Sequence, residues 1–95
     1  MSNVKFVKLA KKIVGDWYEK ERSKETNTLI VEDDICVVWL CKALQNNKAL
    51  LTTELPDGLL FEVTYDGRRR EVYLNVYSKI ETMRIVEEED DQSQN

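Results

Sequence analysis

The sequence predicts an α+β domain of element order α-β-β-β-α: a three-stranded antiparallel meander with two helices packed on one face. Three observations carry this expectation. Apolar residues recur every three or four positions over residues 3–22, the period of an amphipathic helix. Residues 35–65 are dense in β-branched and aromatic types and are punctuated by turn residues, the pattern of short strands joined by tight connections. A second helical period follows over residues 70–85.

Ser2 and Asn3 are N-cap types for the first helix, which reaches about Arg22; such side chains accept bonds from the unpaired first-turn N–H groups. Phe6, Ala10, Ile13, Val14 and Trp17 form its apolar stripe, widened by Val7 and Tyr18. Gly15 costs about 1 kcal/mol relative to Ala inside a helix, which suggests a close approach to the sheet. Lys5, Lys8 and Lys12 share a face away from the stripe's centre. A solvated surface is the ordinary reading of such a face, and contact with a partner or a phosphate is the sharper one.

Ser23 to Thr28 reads as a polar linker, and Leu29-Ile30-Val31 as a strand start or a plug against the core. Glu32-Asp33-Asp34 reads as an acidic turn. Adjacent carboxylates suit a hard cation, yet the spaced ligands and bend glycine of a calcium loop are missing, so no metal is expected.

Ile35 to Leu44 is apolar on both faces and predicts a central strand. Strict alternation sends Ile35, Val37, Trp39, Cys41 and Ala43 to one side, and Cys36, Val38, Leu40, Lys42 and Leu44 to the other. Gln45-Asn46-Asn47-Lys48 predicts a turn, since Asn tolerates a left-handed backbone, and Ala49 to Leu55 the returning strand. Pro56-Asp57-Gly58 turns the chain again into Leu59 to Tyr65, and Asp66-Gly67 closes it. Arg68, Arg69 and Arg70 form a basic cluster before the expected second helix, Arg70 to Ile85, whose stripe is Val72, Tyr73, Val76, Tyr77 and Ile80. A fourth strand is the competing reading of this stretch, because Val, Tyr and Ile favour β structure.

Ninety-five residues bound the chain to one domain, assigned to 1–86, with a disordered acidic tail over 87–95. The net charge of −4 is unevenly spread: +4 over residues 1–24, −6 over 25–66, +3 over 67–86 and −5 over 87–95. With 34% charged residues and no apolar run near membrane-spanning length, a cytoplasmic protein without a membrane role is expected. Cys36 and Cys41 are expected to be buried free thiols facing opposite ways, too poorly placed to bridge. The chain contains no histidine, which removes the commonest general base and metal ligand. Its three scattered glycines build neither a P-loop nor a dinucleotide fingerprint. Neither catalysis nor a cofactor is expected. Trp17 and Trp39 are assigned to the core, and Tyr65, Tyr73 and Tyr77 to a half-exposed rim near the arginines.

The run VVWLCKALQNNKAL, then a Pro-Asp-Gly turn, FEVTYDG and a Tyr-Leu…Tyr-x-Lys segment, resembles a family of small uncharacterised proteins encoded by phages and prophages of Gram-positive bacteria. The likeness covers most of residues 4–80; Val37-Val38-Trp39…Gln45-Asn46…Lys48-Ala49-Leu50 is its most specific part. The acidic tail and the Arg68–Arg70 triplet depart from the pattern. The resemblance implies a phage-related origin in a host bacterial cytoplasm and carries no site residue.

The leading expectation is a non-enzymatic phage accessory protein that binds and modulates a host, defence or phage protein. A nucleic-acid-binding module is the alternative, since α-β-β-β-α is also the element order of double-stranded-RNA-binding domains. Lys5, Lys8, Lys12, Arg68, Arg69 and Arg70 are the candidate contact residues under either reading. A homodimer through an exposed edge strand is compatible with both.

Overall fold

One helix lies across one face of a four-stranded antiparallel sheet, in the order α1 (Asn3–Glu21), β1 (Ile35–Ala43), β2 (Asn46–Thr53), β3 (Leu59–Asp66) and β4 (Glu71–Ser78). The computed structural model describes residues 1–21 and 30–88. The linker expected over 23–28 and most of the acidic tail therefore lie outside the described residues. The strands stand in sequence order, β1-β2-β3-β4, so every connection is a hairpin.

Helix α1 begins where its cap predicts: Ser2 Oγ accepts a bond from Lys5 N–H at 3.2 Å. Its buried positions are Phe6, Ala10, Val14 and Tyr18, one every four residues, with Ile13 and Trp17 packed beside them. These meet Ile35 of β1, Ala49 and Leu51 of β2, and Phe61 and Val63 of β3 in a single core. Trp17, Tyr18 and Phe61 stack edge-on or tilted, with ring centroids 5.2–5.3 Å apart. The Tyr18 hydroxyl leaves this apolar cluster by donating to Asp57 Oδ2 at 2.6 Å, tying the helix to the β2–β3 turn. Ile30 packs against the core as a plug. Asp34 accepts from Val31 N–H at 3.1 Å, so this member of the acidic triplet fixes the 3-10 turn Glu32–Asp34.

The expected second helix is not formed. Glu71–Ser78 is a strand, paired with β3 from Leu59↔Ser78 to Asp66↔Glu71 without a break. Val72, Tyr73, Val76 and Tyr77 fit a helical stripe and equally a strand that is apolar on both faces. Here Val72, Leu74 and Val76 share the helix side with Tyr65, Val63 and Phe61, while Tyr73 and Tyr77 share the other side with Thr64 and Leu60. Their β-forming side chains and the turn after Asp66 prevail over the period.

Strand β1 is an edge strand rather than a central one. Its alternation breaks at a bulge: Val37 pairs with Leu51 and Trp39 with Leu50, leaving Val38 as the extra residue. Ile35, Val37 and Leu40 therefore share the helix side, and Cys36, Trp39, Cys41 and Ala43 share the open side. Both cysteines are exposed free thiols, against the expectation that they are buried on opposite faces. Trp39 is 46% exposed, not part of the core. The first turn is also tighter than expected. Ala43 pairs with Asn46, so the turn is Leu44-Gln45, and Leu44 takes the positive φ of 56° that Asn46 and Asn47 were expected to supply.

Candidate functional site

The face of the sheet opposite α1 has no covering element among the described residues, and it presents aromatic and polar side chains. From β1 come Cys36, Trp39 and Cys41; from β2 Thr52, Leu50 and Lys48; from β3 Leu60, Glu62 and Thr64; from β4 Tyr77, Asn75 and Tyr73. Trp39, Tyr73 and Tyr77 are each close to half exposed. Exposed rings of this size are the residues that most often anchor an interface, because they bury large area with few rotors.

Glu62 organises the middle of this face. Its Oε1 accepts from Asn75 Nδ2 at 3.0 Å and from the Tyr77 hydroxyl at 3.1 Å, both on β4. Its Oε2 lies 3.6 Å from Lys48 Nζ on β2. The Asn75 bond above all, with help from Tyr77 and Lys48, holds the Glu62 carboxyl below the usual carboxylate range. The same bond raises the Tyr77 phenol, since a donor to a carboxylate gives up its proton less readily. Tyr73 donates to Glu71 Oε1 at 3.0 Å and is raised in the same way. Both ring hydroxyls are thus held in place on the surface.

An open groove of about 400 Å³ runs beside these residues, lined by Trp39, Cys41, Lys48, Thr64, Asp66 and Tyr73 among others. Its lining sets aromatic rings beside polar side chains, a composition that suits an extended peptide or a small planar group. Asn47, buried on the helix side of the sheet beside its register partner Tyr65, donates through Nδ2 to the Met1 carbonyl at 3.3 Å. Among the described residues its Oδ1 has no partner.

The expected basic residues occupy two places. Lys8 and Lys12 line a recess between α1 and the 3-10 turn with Asp16, Ile30 and Glu32. Lys12 is bonded to Asp16 at 2.7 Å, which raises its pKa and offsets its charge. Lys5 is exposed one turn before Lys8 on the same helix. Arg68 and Arg69 line a different recess, at the β3–β4 turn, with Asn46 and Asp66. Asp66 Oδ1 accepts from the backbone N–H of Arg68 and Arg69 at 3.0 and 3.3 Å, so this carboxylate fixes the turn that carries the arginines. Arg70, also exposed, has a φ of 55°. The helix lysines and the turn arginines do not share a recess.

Sequence reasoning missed Trp39 and the row facing it because one bulge inverts the parity of β1 after Val37. No residue in Ile35–Ala43 announces that bulge, although Trp39 on the open side leaves Leu40 to pack inward. Among the described residues no group of His, Cys, Asp and Glu is placed to hold a metal ion, and no helix is long and apolar enough to cross a membrane. Of known families, one described as a family of unknown function (DUF6275) matches residues 7–87. Searches of the curated proteins and of the solved structures gave no match.

Proposed function

The chain belongs to this family, since the match spans most of its length, and we propose that it acts without catalysis as a binding module for a protein partner. The observation that carries the reading is the row Trp39, Tyr73 and Tyr77, exposed on an uncovered sheet face. Three half-exposed rings around a fixed polar centre give both the apolar area and the orientation that a protein interface needs. Charge favours a protein over a nucleic acid here. Lys48 is matched by Glu62, and Glu71 and Asp66 border the same face, so a phosphate backbone gains little from it. The fold-level argument for RNA also lapses, because a strand stands where that element order requires its second helix. A cytoplasmic, phage-related setting and the modulation of a host, defence or phage protein belong to this reading.

Capture on immobilised protein, with and without nuclease, tests it. A partner retained after nuclease treatment by the wild type and lost by Trp39→Ser or Tyr73→Ser supports the open face as the interface. Retention unaffected by both substitutions overturns it. Release of everything by nuclease turns the reading to nucleic acid and puts Arg68, Arg69 and Arg70 first for substitution.

A further inference from the structure

We propose that β4 pairs with β4 of a second copy of this chain, antiparallel about a two-fold axis at Asn75, joining two sheets edge to edge. The proposal is tested apart from the partner read from the open face, because it turns on the backbone edge of β4, although Tyr73 and Tyr77 border both.

The two edges of the sheet differ. β1 carries the bulge at Val38, a device that twists an edge away from pairing. β4 has none: its register with β3 is unbroken over the strand, and Glu-Val-Tyr-Leu-Asn-Val-Tyr-Ser contains no proline and no lysine. A regular β-forming edge of this kind is a template for another strand.

The ladder fixes which groups are free. Lys79 N–H donates to Gly58 O at 3.1 Å, so the odd-numbered residues of β4 turn their N–H and C=O toward β3. Val72, Leu74, Val76 and Ser78 then turn theirs outward. Any partner strand must meet these four, which restricts a two-fold pairing to registers centred on a residue.

Charge selects among the central registers. Centred on Leu74, Glu71 stands opposite the partner's Tyr77, with no opposite charge across the join. Centred on Val76, Glu71 falls past the partner's Lys79, where the ladder ends, and meets no opposite charge. Centred on Asn75, Glu71 meets the partner's Lys79, opposite in sign, at the last residue of the ladder. That register also sets Leu74 against the partner's Val76 in hydrogen-bonded positions. Tyr73 faces the partner's Tyr77 at non-hydrogen-bonded positions, where side chains approach most closely. Outward backbone groups, aromatic pairs and charges agree on one register.

The apolar surface fits the same occupant. Helix α1 packs over β1, β2 and β3, and Val72 on the helix side of β4 remains 38% exposed. Beyond Lys79 the chain carries Ile80, Met83, Ile85 and Val86, all well exposed. In an antiparallel pair this segment leaves β4 beside the partner's β3–β4 turn, which carries Arg68, Arg69 and Arg70.

Sedimentation equilibrium of the full chain over a concentration series tests the proposal, with circular dichroism to confirm that each variant is folded. The wild type is expected to dimerise. Ser78→Pro removes an outward N–H in each copy and leaves the β3 ladder intact, so it raises the dimer dissociation constant by about 10-fold. Glu71→Lys and Lys79→Glu alone each raise it by about 5-fold, and the two together restore it. A chain that stays monomeric at about 1 mM overturns the proposal. So does a dimer insensitive to Ser78→Pro, or one in which the double charge exchange fails to rescue.

Discussion

Glu62 joins three strands on the open face through Lys48, Asn75 and Tyr77, and its titration has a defined consequence. Its folded pKa lies below the usual 4.5, so its contribution to stability is fully present above that value and is lost as pH falls through the lower folded one. Tyr77 behaves oppositely: its folded pKa lies above the usual 10.0, and its contribution is lost as pH rises through the folded value. Glu62→Gln is therefore expected to flatten both limbs. Urea midpoints at about pH 3, 5.5 and 11 check this; equal acid slopes in the variant and wild type would assign the acid sensitivity to other carboxylates.

Two other residues sit in conformations they do not favour. A Cβ added at Gly15 meets only Ile35 Cδ1, at 3.9 Å, an ordinary contact, so the close approach expected from the sequence is not there. Gly15→Ala is expected to stabilise the protein by about 1 kcal/mol, read from the denaturant midpoint. Leu44 is 95% exposed at positive φ, a strain of about 1 kcal/mol for a residue with a Cβ. Leu44→Gly should recover part of it by the same measurement, whereas a loss would mean that the Leu44 side chain contributes packing.

At the scale of the elements, what was legible depended on how local its cause is. Helix α1 was legible from Ser2 to Glu21 because cap and stripe are both written in adjacent residues. β2 and β3 were legible from alternation and from Pro56-Asp57-Gly58. β4 was misread because Val72, Tyr73, Val76 and Tyr77 satisfy two periods, and only pairing with β3 chooses between them. The open face was hidden for a related reason. One unpaired residue, Val38, decides the side on which Trp39 and Cys41 emerge, and a bulge is a property of two strands rather than one. Gly67 shows the same dependence on a distant neighbour. A Cβ there would collide with the Gln45 carbonyl oxygen, so the β1–β2 and β3–β4 turns touch through it. Asn46 Oδ1 accepts from Gly67 N–H at 3.1 Å across the same contact. Gly67→Ala is expected to part the two turns and cost about 1–3 kcal/mol, lowering the thermal midpoint; an unchanged midpoint would show that the turns separate freely.

For the molecule as a whole, the informative mismatch lies between where its packing ends and where its family match ends. The β3–β4 ladder closes with Lys79 N–H on Gly58 O, and residues 80–88 are exposed throughout. The family match nevertheless continues to residue 87. Apolar side chains such as Ile80 and Ile85 contribute little to a monomer from such positions, because burial is what makes them stabilising. The dimer proposed above gives them a second copy to pack against. Removal of residues 80–95 then separates folding from association. The truncated chain is expected to melt within about 2 °C of the full chain at low concentration, since none of the described residues it loses belongs to the core. It should self-associate more weakly, having lost the exposed apolar segment that follows β4. A large fall in the melting temperature would instead place the segment against its own sheet, and unchanged association would confine the dimer contact to β4 itself.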